Sequence, residues 1–170
     1  YSTMNEFLAE KWFPFEEVSI ESMRERIPGM PYPPLNRLHV WFARRPLLTS
    51  RATVLLSLIQ NKDEKKIFQI LGLPTDEDII KKFRDFTEGR ARGIKQSKPY
   101  NWPQSYKHVP TTDEFEWLFN ELKKQHNGKI PTVIDPMAGG GSIPYEAMIL
   151  GLPTYANDLN PVAFLCLKAT

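Results

Sequence analysis

Residues 132–142, Thr132-Val133-Ile134-Asp135-Pro136-Met137-Ala138-Gly139-Gly140-Gly141-Ser142, set a strand, an acid and a glycine turn in one short run. The β-branched Thr132, Val133 and Ile134 predict a buried strand with Asp135 at its carboxyl end. Three glycines then let backbone amides approach a ligand with no Cβ in the way. Pro144 follows within the expected first turn of a helix, where its missing amide hydrogen costs nothing. A second strand-like run, Thr154-Tyr155-Ala156-Asn157, closes on Asp158, about 20 residues past Gly139, the spacing that places an acid on a ribose diol. Both strand ends are therefore expected to face one adenosine-sized crevice.

The residues around the turn separate three cofactor classes. A phosphate-gripping loop needs Lys and Ser or Thr after its last glycine, whereas Gly141 is followed by Ser142 and Ile143. A dinucleotide turn needs a third glycine at the G-x-G-x-x-G position, and Pro144 stands there instead. S-adenosylmethionine remains. Its carboxylate can sit on free amides at a helix start, its ammonium can face Asp135, and its ribose hydroxyls can donate to Asp158. The competing reading is a flexible Gly-Gly-Gly-Ser linker with no ligand.

The run from Asp135 to Ser142 resembles the D-P-F-x-G-x-G-T cofactor motif of DNA methyltransferases that modify exocyclic amino groups. Three further segments, Phe13-Pro14-Phe15-Glu16-Glu17-Val18, Ser22-Met23-Arg24-Glu25 and Leu38-His39-Val40-Trp41-Phe42-Ala43-Arg44-Arg45-Pro46-Leu47, resemble the N-terminal region of predicted adenine-specific DNA methylases, where L-H-x-W-W-A-R-R-P precedes the cofactor motif. Asp158-Leu159-Asn160-Pro161-Val162-Ala163 resembles their next element, which leaves roughly residues 60–130 unassigned. Phe42 replaces the second Trp, Met137 the Phe, and Ser142 the Thr.

The resemblance implies a fold class and a function. The fold would be α/β: a helical N-terminal region, residues 1–130, followed by the first strands of a Rossmann-like methyltransferase sheet, truncated, in an incomplete S-adenosylmethionine-binding segment, residues 131–170. The parent protein would transfer a methyl group to an exocyclic amino group of adenine in DNA. Asp135, Pro136, Gly139, Gly140, Gly141, Ser142 and Asp158 would bind cofactor, joined by Trp41, Arg44 and Arg45, which would clamp the methionine carboxylate and cover the sulfonium. A packed junction, with Trp41 in the core and the arginines on the surface, is the alternative for that segment.

No catalytic residue is expected here, because the D-P-P-Y motif that receives a flipped base is missing; Tyr32-Pro33-Pro34-Leu35 lacks both the acid and the following ring. The chain thus reads as the front part of a longer enzyme. Two alternatives stand beside it: an RNA or small-molecule methyltransferase, and a non-catalytic interaction module with a degenerate methyltransferase remnant.

A parallel pair of strands does not make a self-sufficient sheet, so further C-terminal sequence or a second chain is expected to complete it. The 170 residues, 41% hydrophobic, suffice for a core, while a net charge of +2 is too small to argue for nucleic acid. Locally, Arg90, Arg92, Lys95, Lys98 and Lys107 interleave with Tyr100, Trp102 and Tyr106, which suits either a phosphate- and base-binding surface or a solvated loop. Cys166, alone in an apolar run, reads as a buried small hydrophobe. No His or Cys spacing suggests a metal. With no basic-apolar-small-residue pattern in its opening residues and no apolar run near the roughly 20 residues that span a bilayer, a cytoplasmic location without membrane contact is expected.

Periodicity predicts helices in the front region: one capped by Ser19 and stopped at Pro28-Gly29; one opened by Pro46 with Leu48, Ala52, Leu55, Leu56 and Ile59 inward; one running to Gly72; one from Thr75 with Ile79, Ile80, Phe83 and Phe86 inward; and one behind the capping box Thr111-Thr112-Asp113-Glu114, ended by Asn127-Gly128.

Overall fold

The computed structural model describes residues 6–27 and 33–170. In chain order the elements are α1 (Leu8–Lys11), α2 (Phe15–Arg24), α3 (Pro34–Leu38), α4 (Leu47–Leu56), α5 (Glu64–Leu71), α6 (Ile79–Ala91), a 3-10 turn (Ser105–Lys107), α7 (Thr112–Gln125), β1 (Val133–Asp135), α8 (Ser142–Ile149), β2 (Thr154–Ala156) and α9 (Pro161–Ala169). The described chain is mostly helical, with two short parallel strands whose register pairs Val133 with Thr154, Ile134 with Tyr155 and Asp135 with Ala156.

Local chemistry explains several helix ends. Thr111 and Glu114 form the predicted capping box of α7, and Asn127 and Gly128 adopt positive φ beyond its end. Gly72 terminates α5 at φ +70°, a conformation that costs glycine little. Two starts differ from expectation. Helix α2 begins at Phe15, so Ser19 lies inside it, and α6 begins after Asp78, whose carboxylate accepts from the Lys81 amide, with Thr75 outside the helix. The stop expected at Pro28-Gly29 lies outside the described residues.

Helix α4 organises the core. Leu48, Ala52, Leu55, Leu56 and Ile59 are buried as the periodicity predicts, and they meet Ile67, Ile70 and Leu71, then Leu118 and Leu122, and also Ala147, Leu150 and Leu152. One cluster therefore runs across position 130, and α8 packs directly on α4. An ion pair seals that contact: Arg51 Nε donates to Glu146 Oε2 at 2.6 Å, with both side chains fully buried.

The strand predicted as buried is covered on one face only. Val133 packs toward the core, while Ile134 is 70% and its register neighbour Tyr155 69% exposed. Helix α8 supplies a single layer, and a parallel sheet buries both faces only where helices cover both. Cys166 on α9 is half-buried, since Ala163 is the buried residue of that helix.

Candidate functional site

The acid, the glycine turn and the second acid meet at one corner because β1 and β2 are paired in parallel and end together. Asn157 N donates to Asp135 O (2.9 Å), Ala138 N to Asn157 O (3.0 Å), and Gly139 N to Asp158 Oδ2 at 2.7 Å. The other oxygen of Asp158 accepts from Asn160 N at 2.8 Å. These amide hydrogen bonds, from Asn160 first and then Gly139, hold the Asp158 carboxyl below its ordinary pKa. An ionised carboxylate has about four acceptor sites, so lone pairs remain on both oxygens. Asp135 is half-buried and accepts from Met137 N at 3.2 Å, while Pro136 is exposed.

The turn itself needs its glycines. Gly139 and Gly141 lie at φ +52° and +79°, a region that L side chains rarely adopt. A Cβ on Gly139 would stand 3.0 Å from Trp41 Nε1, and one on Gly140 would stand 2.8 Å from Arg44 Nε and 2.9 Å from Trp41 Cβ. The missing side chains thus let the 41–44 segment close onto the turn. Gly141 opens α8 as its N-cap. A helix start presents unpaired amides and a partial positive charge, so this corner favours an anion.

Of the three residues expected from the Trp41-Phe42-Ala43-Arg44-Arg45 segment, two reach the turn. Trp41 is half-buried over Gly139 and Gly140 and is not in the main core. Arg44 lies over Gly140, with Nη1 donating to Asn36 Oδ1 at 2.6 Å and a buried Nε that has no hydrogen-bond partner. Burial lowers its pKa, partly offset by the neighbouring Cys166, and no carboxylate of the described chain contributes. Arg45 is exposed, and its backbone carbonyl accepts from Ser142 Oγ at 2.9 Å. Ser142, 4% exposed, therefore ties the segment to α8 and does not present its hydroxyl to a ligand. A cleft of about 210 Å³ opens beside Trp41, Arg44, Arg45, Asn36 and Glu25.

Residues 12–81 match a family described as a protein of unknown function (DUF1156). The match includes Trp41, Arg44 and Arg45 and ends before the glycine turn. Neither a curated protein nor a solved structure matches the chain. Among the described residues no helix is long and apolar enough to cross a membrane.

Two residues of the site were given no role from the sequence. Glu25, at the end of α2, accepts from the amides of Leu47 and Leu48 at 2.9 and 3.0 Å, capping α4 directly behind the Arg44-Arg45 turn. Burial raises its pKa, with the two amides opposing. Asn36 holds Arg44, and only the turn of α3 brings it there. A different expectation is revised: Trp102 (9% exposed) and Tyr106 (7%) are buried, not surface stacking platforms. Glu21 holds the first by accepting from Trp102 Nε1 (2.9 Å) and from Ser105 N and Oγ (3.2 and 3.1 Å), while Tyr106 packs with Leu35 and Leu47 and its hydroxyl donates to Gln104 Oε1 at 3.0 Å.

Proposed function

We propose that this chain forms the S-adenosylmethionine-binding part of a methyltransferase, on the first strands of a Rossmann-like sheet. The observation that carries the reading is the Asp158–Gly139 hydrogen bond. It joins the second acid to the glycine turn at the carboxyl ends of paired parallel strands, the place where α/β sheets bind ligands. The residues fit the cofactor at its polar ends. Arg44, whose buried Nε lacks an acceptor, and the amides at the start of α8 suit a carboxylate. Asp135 suits an ammonium, and the remaining lone pairs of Asp158 suit ribose hydroxyls. Trp41 offers an indole face to a cation. When bound, the cofactor supplies an electrophilic methyl group; these residues bind and orient it.

The acceptor rests on resemblance. The segments between Phe13 and Leu47 and between Asp135 and Ala163 are similar to adenine-specific DNA methylases, so the acceptor we propose is an exocyclic amino group of adenine in DNA, with the catalytic motif outside this chain. A titration of the ¹⁵N-labelled chain with S-adenosylhomocysteine tests the site. Saturable shifts at Gly139, Gly140, Asp158 and the Trp41 indole support it. Saturable shifts confined to other surfaces, while the spectrum shows a folded chain, reject it.

A further inference from the structure

The half-buried rings of α6 line a second concave surface, away from the glycine turn. Met23 on α2, Ile27 three residues past its end, Phe83 and Phe86 on α6, and Tyr100 bound a groove of about 590 Å³, within the range of roughly 300–1,000 Å³ that binding pockets occupy. Phe83 and Phe86 were expected to point into the core. Instead they are half-buried and form the groove floor, while Met23 is 49% exposed.

The rim is cationic. Arg90 and Lys98 line the groove and no acid does. Neither cation, nor the nearby Lys95, forms an ion pair among the described residues, whereas Lys82 and Arg92 on the same stretch are paired with Glu77 and Glu88. Arg90 instead lies over the Phe86 ring, 5.8 Å from its centroid.

This rim is anchored at both ends. Gly89 is buried, and a Cβ there would fall 2.4 Å from Gln96 Nε2, so the Gln96 side chain occupies the notch that the glycine leaves. Ile94 N donates to Gly89 O at 2.9 Å. On the far side Arg24 Nη2 donates to Trp102 O at 2.7 Å, and its guanidinium lies 4.7 Å from the Tyr100 ring centroid. A segment read from sequence as either a nucleic-acid surface or a solvated loop is thus folded back along an apolar trough.

We infer that this groove docks an acidic amphipathic helix of a partner protein, its apolar face on Met23, Phe83 and Phe86 and its carboxylates on Arg90 and Lys98. An apolar floor beside unpaired cations is complementary to such a helix. Two of the three aromatic residues present for base stacking are half-buried on the floor and the third already carries Arg24, which disfavours a single-stranded nucleic acid. Methionine at the mouth suits a surface that repacks around aliphatic side chains.

The test uses the whole chain and a fluorescein-labelled peptide of about 16 residues, long enough for some helicity, with Leu or Phe at i, i+3, i+4 and i+7 and Glu or Asp elsewhere. Three controls accompany it: the same peptide with Lys for Glu, one with Ser for the apolar residues, and a labelled oligothymidine. Fluorescence polarisation is expected to show saturable binding of the acidic peptide only. Affinity should fall about tenfold or more in the double variant Arg90→Glu/Lys98→Glu, fall with added salt, and fall several-fold in Met23→Ala. These side chains are exposed or half-exposed, and unchanged circular-dichroism melts confirm that the variants fold. No binding of the acidic peptide, binding equal to that of the Lys control, or binding indifferent to the double variant overturns the inference. Oligothymidine binding lost in the double variant, without peptide binding, overturns it in favour of nucleic acid.

Discussion

Glu146 is the group whose titration should be most visible in the stability of this protein. It is fully buried against Arg51, and burial, outweighing the arginine's attraction, pushes its pKa from 4.5 up to about 7. Such a rise corresponds to about 3 kcal/mol. The native state then holds this proton more tightly than the unfolded chain. The associated stability is complete below about pH 4.5 and is lost as pH climbs through about 7. The opposing expectation is that removing one partner of a buried pair costs about 3–5 kcal/mol. The geometry favours the first. The pair meets through one nitrogen and one oxygen, Arg51 Nη2 and Glu146 Oε1 are buried with no partner, and Arg51 Nη1 reaches the carbonyls of Ile70 and Ser105 only at 3.4 Å. Glu146→Gln keeps an acceptor for Arg51 Nε and cannot ionise. Urea unfolding of both proteins between about pH 5 and pH 8, at fixed ionic strength, isolates the effect. The stability of the variant relative to the wild type should rise with pH by about 2.5 kcal/mol across this window. A relative stability that falls with pH would refute the reasoning, because the ionised pair would then be the favoured native form.

Asp158→Ala removes the acceptor of the Gly139 amide and should weaken S-adenosylhomocysteine binding about tenfold or more, or about 1.4 kcal/mol, as read by calorimetry; unchanged affinity rejects the ribose assignment. Gly72→Ala forces a Cβ to 2.6 Å from His108 Cβ at φ +70° and should destabilise the chain by about 1–3 kcal/mol, visible in thermal melts. Thr111→Ala leaves the Glu114 amide without its cap and should cost about 1 kcal/mol in urea titrations, with no change in ligand binding.

Helix ends governed by adjacent residues were legible in the sequence: the capping box at Thr111, the glycine stop at Gly72 and the apolar face of α4 all follow from contacts a few positions apart. Where two starts competed, Asp78 prevailed over Thr75 because its carboxylate reaches the Lys81 amide, and α2 ran back to Phe15 past Ser19. Burial of Trp102 and Tyr106 was not legible. Aromatics between lysines read alike whether packed or exposed, until Glu21, far off in sequence, gathers Trp102 and Ser105. The clustering of Asp135, the glycines and Asp158 was foreseen from spacing, whereas the approach of Trp41 and Arg44 was only implied by the family resemblance, beside the alternative of a packed junction. The diversion of Ser142 to the Arg45 carbonyl was not.

From its residue order alone this chain determines where its backbone turns, which helix faces are apolar, and that two strand ends carry acids, since those properties depend on φ preferences, periodicity and neighbours within one turn. Tertiary structure decided which polar groups were consumed in packing and which stayed available. Glu146 was buried on Arg51, Glu25 was turned onto the start of α4, and Arg44 was left with an unsatisfied nitrogen over Gly140. Satisfaction of a buried donor or acceptor depends on atoms brought together from distant positions, and no local pattern encodes it.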